Sequence, residues 1–154
     1  AKSSSTPGKT RTINFYCFNR SWYLVDLPGY GFAKVARTEK ARWGKMIEKY
    51  LAGRKTLRGV ILLVDMRHPP SEEDRMMKEW LEHHQIPFMV IATKADKLSR
   101  SARQKNLAMI HRELNLPVDQ PLLGFSAVSG DGLEELRYSL QEIMESEPIP
   151  PALS

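Results

Sequence analysis

The run Val60-Ile61-Leu62-Leu63-Val64-Asp65 constrains this chain more than any other stretch. Five successive apolar residues leave a strand no polar face to turn to water, so the run is expected to be buried on both faces of a parallel sheet. Phe88-Met89-Val90-Ile91-Ala92 repeats the pattern, and residues 122–125 supply a third, shorter strand. Helical signals lie between them. Pro69-Pro70 breaks the chain, and Ser71 caps a helix whose first turn carries Glu72, Glu73 and Asp74, where acids suit the helix dipole. Met76, Met77, Trp80 and Leu81 are its expected inner face, with methionine as core filler. Leu107, Ile110 and Leu114 mark the next helix. Gly130-Asp131-Gly132 leads into a last one with Leu133, Leu136, Leu140 and Ile143 inward. Strands alternating with helices mean a doubly wound α/β sheet.

The first third of the chain reads differently. Ile13, Phe15 and Cys17 alternate as in a strand, and Asn19-Arg20-Ser21 is short enough to close an antiparallel hairpin with a second strand over 22–27. Cys17 has no second cysteine to pair with, and its strand pattern makes it an expected core residue, reduced, of a cytosolic protein. A helix is expected over 39–52, with Thr38 as N-cap, Trp43, Met46, Ile47, Tyr50 and Leu51 as one apolar stripe, and Gly53 as its stop.

Chemistry collects at the ends of the strands, where open α/β sheets place their ligand loops. Trp22-Tyr23-Leu24-Val25 runs straight into Asp26-Leu27-Pro28-Gly29. A glycine three residues after the acid lets a backbone N–H approach an anion closely. This Asp-x-x-Gly order is that of nucleotide switches, with the acid near a metal and the glycine at a terminal phosphate. Alone, an Asp and a Gly in a strand-end turn are ordinary. Thr93-Lys94-Ala95-Asp96 and Ser126-Ala127 close two later strands. A carboxylate at Asp96 can accept from the N1–H and the exocyclic amine of guanine, an adjacent donor pair that adenine lacks. A site built around such a pair rejects the wrong base by several powers of ten. The Lys94 stem can lie along a purine face, and the Ala127 N–H can read the guanine O6.

Pro7-Gly8-Lys9-Thr10 has the ending of a phosphate-binding Walker A loop, but the first glycine of that motif would fall on Ser3, and a strand follows where a helix should. Charge is uneven. The net charge is +5, yet 34–58 holds nine basic residues against Glu39 and Glu48, while 131–147 holds six acids against Arg137 alone. A local positive field hints at a polyanionic partner, and a solvated helix face is the plain alternative. No run is apolar and long enough for a membrane helix, His83 and His84 fall on different helix faces, and no His/Cys/acid set has zinc spacing.

Taken together the chain resembles the EngB family (also called YihA or YsxC) of bacterial, translation-factor-class GTPases. The resemblance is carried by Ser4-Ser5-Thr6-Pro7-Gly8-Lys9-Thr10-Arg11-Thr12-Ile13-Asn14-Phe15-Tyr16, Val25-Asp26-Leu27-Pro28-Gly29-Tyr30-Gly31-Phe32-Ala33, Asp65-Met66-Arg67-His68 and Ala92-Thr93-Lys94-Ala95-Asp96-Lys97. It covers essentially the whole chain. It implies a three-layer P-loop NTPase-like G domain over 1–146, mostly parallel with helices on both faces, and a Pro-rich tail over 147–154. It also implies a GTP/GDP switch in large-subunit (pre-50S) ribosome assembly, often linked to cell division and septation, cytoplasmic and monomeric, with rRNA as partner and no membrane. Nucleotide contacts carry over to Gly8, Lys9, Thr10, Arg11 and Thr12, to Asp26, Leu27, Pro28 and Gly29, to Thr93, Lys94, Ala95 and Asp96, and to Phe125, Ser126 and Ala127. Thr10 would ligate Mg²⁺ directly and Asp26 would hold it through a water. Thr93 stands where most GTPases have Asn, as in this family.

The family's Walker A loop, with the strand before it and the helix after it, lies upstream of the Thr10 segment. The chain is therefore expected to be a portion of a longer protein, lacking that strand, loop and helix, and to be inactive by itself. Tyr30 stands where many GTPases place a water-orienting Gln, which implies slow intrinsic hydrolysis, and no catalytic base is assigned. The rival reading is a non-catalytic basic α/β module that binds RNA or protein without nucleotide.

Overall fold

The computed structural model describes residues 13–27, 29 and 37–146. They divide between Arg54 and Lys55 into two compact units. Each has its own sheet: a two-stranded one in the first and a three-stranded one in the second. The expected positions of Gly8, Lys9, Thr10, Arg11, Thr12, Pro28 and Tyr30, and the tail over 147–154, lie outside the described residues.

In the first unit β1 (Asn14–Phe18) and β2 (Trp22–Asp26) pair antiparallel, with Phe18 opposite Trp22 and Asn14 opposite Asp26. Asn19 and Arg20 take φ of 49° and 57°, and the Ser21 N–H donates to the Phe18 carbonyl at 3.1 Å. Two successive positive φ values give the primed-turn twist that matches twisted strands. Cys17 is exposed, which corrects its expected place in a core. Period-2 alternation separates two faces without saying which is covered, and here the half-buried residues of β1 are Asn14 and Tyr16. Helix α1 (Arg37–Ala52) follows. Ile47 and Leu51 are buried and Trp43, Met46 and Tyr50 half-buried, the expected stripe, and the Gly53 N–H closes the helix on the Lys49 carbonyl. The helix begins at Arg37, so Thr38 lies inside its first turn and is not its cap.

In the second unit β3 (Val60–Asp65), β4 (Phe88–Thr93) and β5 (Leu122–Gly124) run parallel in the order β3-β4-β5. Helices α2 (Glu72–His83), α3 (Arg100–Glu113) and α4 (Leu133–Glu145) alternate with them. Leu62, Val64, Met66, Leu81, Val90, Ile110 and Leu114 make the core. Burial on both faces belongs to β4, where Met89, Val90, Ile91 and Ala92 are all enclosed. In β3 only Leu62 and Val64 are, while Leu63 between them is 59% exposed. That corrects the expectation for β3, which among the described residues has a ladder neighbour on one side only.

Ser71 and Asp74 form a reciprocal cap: the Asp74 N–H donates to Ser71 Oγ at 3.1 Å and the Ser71 N–H to Asp74 Oδ2 at 2.9 Å. On the inner face of α2 Met77 and Trp80 are half-buried and Leu81 is buried, as expected. Met76, expected with them, is exposed, while Lys78 is buried beside Leu81. Its ammonium reaches Glu82 at 2.8 Å and the Asn115 carbonyl at 3.1 Å, so the buried charge is paired and hydrogen-bonded. In α4, Leu136, Leu140 and Ile143 are half-buried and Leu133 is exposed, short of the inward setting expected for it.

Two glycines have opposite standing. Gly44 lies within α1 with nothing near the position of a Cβ. Gly132 has φ of +83°, and a Cβ there would run into the Gly124 carbonyl oxygen. Gly44→Ala is expected to stabilise by about 0.5–1 kcal/mol through lost unfolded-state entropy. Gly132→Ala is expected to destabilise by more than that, because both the backbone conformation and the close approach forbid a side chain. Denaturant midpoints of the two variants check both signs.

Candidate functional site

Parallel register brings the carboxyl ends of the second unit's strands level. Asp65 lies opposite Thr93, and Ala92 opposite Gly124. Backbone hydrogen bonds continue past the ladder. The Met66 N–H donates to the Thr93 carbonyl at 3.0 Å, the Phe125 N–H to Ala92 at 2.8 Å, and the Ala95 N–H to Phe125 at 3.1 Å. The turn that follows β4 and the one that follows β5 are thereby joined.

Asp96 sits in a single 3₁₀ turn, Ala95–Lys97, entered through Lys94 in the left-handed region with φ 63° and ψ 34°. Ala95 is buried beneath it. Ser126 is fully buried, and its Oγ accepts the N–H groups of Val128 and Ser129 at 3.2 and 3.1 Å. Its own proton then goes to Asp96 Oδ1 at 2.7 Å. The carboxylate is half-buried and aimed by that bond, and its other oxygen has the Lys97 ammonium 4.0 Å away. Ala127 is exposed, and its N–H makes no hydrogen bond among the described residues. A carboxylate with acceptor capacity near an open N–H suits a ligand edge that offers two adjacent donors and one acceptor.

Thr93 does not reach outward. Its hydroxyl donates to the Val64 carbonyl at 3.1 Å and ties β4 to β3. The loop after β5 is held from α3: Arg103 bonds Asp131 Oδ2 at 2.9 Å and the Leu98 carbonyl at 3.1 Å, while the Asp131 carbonyl accepts the Ser126 N–H at 2.9 Å. The Ser129 hydroxyl, then Arg103, hold the Asp131 carboxyl below its ordinary pKa.

Sequence reasoning about the site missed the part played by Asp65. Its Oδ1 accepts the Arg67 backbone N–H and Nε, both at 3.0 Å, and its Oδ2 accepts Arg67 Nη2 at 2.8 Å and lies 3.2 Å from Lys94 Nζ. The side-chain bonds from Arg67 hold its carboxyl far below the usual range, with burial opposing, and Lys94 adds to the effect. An acid ending a buried strand with Arg two residues on was the signal available.

In the first unit Asp26 ends β2, half-buried, and enters no ion pair among the described residues; Leu27 is half-buried and Gly29 exposed. Among the described residues no group of three or more His, Cys, Asp or Glu could hold a metal. A lone carboxylate still fits Mg²⁺, which keeps most of its waters and takes one or two carboxylates together with substrate phosphates. Arg42, Lys45 and Lys49 are exposed on α1, and the Arg54 guanidinium lies 4.5 Å from the Tyr50 ring centroid and 5.2 Å from that of Phe15. Among the described residues no helix is long and apolar enough to cross a membrane.

A family model described as "50S ribosome-binding GTPase" matches residues 1–94. The chain is 62% identical over 144 residues to a probable GTP-binding protein EngB of Syntrophomonas wolfei, covering 94% of this chain and 74% of that one. Against the protein of the same name from Geobacillus sp. strain WCH70 it is 50% identical over 144 residues, covering 94% and 75%. A crystal structure of a probable GTP-binding protein EngB superposes with a TM-score of 0.76 at 21% identity, covering 94% of this chain and 88% of that one. That likeness shows the α/β G-domain fold.

Because Ser126 Oγ joins two N–H groups to the Asp96 carboxylate, its removal leaves all three short of a partner. Ser126→Ala is expected to destabilise by about 1–3 kcal/mol. Chemical denaturation checks this, and a change under about 0.5 kcal/mol, the scale of a plain surface substitution, would show water replacing the hydroxyl.

Proposed function

The chain belongs to the EngB family of GTP-binding proteins, and on that premise we propose that it is a GTP/GDP-binding switch whose guanine base docks on Asp96. The observation that carries the reading is the Ser126-to-Asp96 hydrogen bond of 2.7 Å, which aims a half-buried carboxylate beside the open Ala127 N–H. Asp96 accepts the N1–H and exocyclic amine of guanine, the Ala127 N–H donates to O6, and the Lys94 stem lies along the purine. Thr93, Ala95, Phe125 and Ser126 hold these groups in place through the bonds described above. Asp26 holds Mg²⁺ through a water, and the Gly29 N–H meets the γ-phosphate; Thr10, the direct ligand by resemblance, and Gly8, Lys9, Arg11, Thr12 and Pro28 belong to the same assignment outside the described residues. Bound Mg²⁺ supplies charge neutralisation at the phosphates. One G domain spans 1–146 with 147–154 as its tail. Hydrolysis is slow, because Tyr30 does not orient water as Gln does.

The same proposal gives the protein a place in large-subunit ribosome assembly, with cell division and septation depending on it, as a cytoplasmic monomer. The support is the family's description and the basic residues Arg42, Lys45, Lys49, Arg54 and Lys55, all exposed.

Asp96→Asn is expected to weaken GTP binding and shift preference toward xanthine nucleotide, whose C2 carbonyl accepts from the amide. Equal GTP affinity for mutant and wild type in a full-length titration overturns the base assignment.

Reversing Lys45, Lys49 and Lys55 to Glu is expected to weaken ribosomal-particle binding and to flatten its salt dependence, by up to about one unit of log-log slope for each lysine that meets a phosphate. An unchanged slope would return these side chains to an ordinary solvated face.

A further inference from the structure

We propose that Asp65 is a positioning residue for base recognition: it tethers the Lys94 ammonium so that the lysine stem lies across the carboxyl ends of β3 and β4 as a face prepared for a purine. The inference rests on the base site proposed above and names a residue outside it.

Both ends of Lys94 are held. Its backbone follows Thr93, which lies opposite Asp65 in the ladder, and takes a left-handed conformation that a non-glycine residue keeps only where its surroundings demand it. Its Nζ lies 3.2 Å from Asp65 Oδ2. The stem therefore runs from the end of β4 toward the end of β3, not freely into water. Asp65 itself cannot swing away to follow the lysine, because Arg67 grips both carboxylate oxygens at 3.0 and 2.8 Å and its backbone N–H takes Oδ1 again. The fork-on-carboxylate geometry gives direction as well as attraction. Lys94 is otherwise a half-exposed side chain of high rotamer freedom. Ordering such a chain only when ligand arrives weakens affinity by roughly three- to ten-fold, and an ion pair formed beforehand removes that cost.

The test is a fluorescent-nucleotide titration of the full-length protein with GDP and IDP, each variant's folding being followed by thermal melting. Asp65→Ala is expected to weaken both nucleotides by the same factor, roughly three- to ten-fold, because the stem meets the purine face and not the 2-amino group. The GDP-to-IDP ratio should hold, whereas Asp96→Asn should collapse it. In a Lys94→Ala background, Asp65→Ala should have no further effect. Lys94→Met keeps the stem, loses the tether and leaves Asp65 paired with Arg67, so it carries the test should Asp65→Ala fail to fold; it is expected to match Asp65→Ala. Unchanged affinity in Asp65→Ala or Lys94→Met, or an equal loss from Asp65→Ala with and without Lys94, overturns the inference. An unchanged ratio in Asp96→Asn overturns the underlying base site instead.

Discussion

The Ser126 hydroxyl has one proton, and the whole corner at the ends of β4 and β5 depends on where it goes. With two backbone N–H groups already pointing at its oxygen, the proton is left for Asp96. One buried side chain thus closes the loop after β5 and orients the acid after β4. The bond is between a neutral donor and an ionised acceptor, the stronger class of hydrogen bond. The backbone links from Met66, Ala95 and Phe125 keep the two turns at the spacing it needs.

Around that corner the fold spends polar groups in pairs. Arg103 joins the stretch before α3 to the loop that opens α4, and Asn106 donates to the Met66 carbonyl at 2.9 Å. Lys78, buried in α2, is matched by Glu82 and a carbonyl from the end of α3. No buried side-chain nitrogen or oxygen among the described residues lacks a partner. Such completeness matters because a buried polar group left alone costs more than a formed bond contributes. Gly132 serves the site by steric means: without a Cβ it lets the start of α4 lie against the Gly124 carbonyl at the end of β5, where any side chain would collide.

Much of the fold was legible because its signals are local. Continuous apolar runs located β3 and β4, a serine before three acids located the start of α2, and a three-residue connection located the hairpin. The errors share a cause. Leu63, Cys17 and Met76 are apolar residues whose period was read properly but whose face or edge is open, and Lys78 is a charged residue whose face is closed. Periodicity reports which residues lie together on one side of an element. It does not report what stands opposite that side.

The same division runs through the site. By itself the sequence determined the family, the order of the strand-end turns, and the residue types able to read a base: an acid at 96, a lysine at 94, a serine at 126. Those follow from short stretches in which chemistry and spacing are fixed along the chain. Only the tertiary structure decided which groups meet. Parallel register set Asp65 beside Thr93 and so within reach of Lys94, and it turned the Thr93 hydroxyl to hold β3. Burial of Ser126 settled the direction of its proton. Twenty-nine residues separate Asp65 from Lys94 and thirty separate Asp96 from Ser126, and contacts at that range are set by strand pairing, which no local pattern encodes.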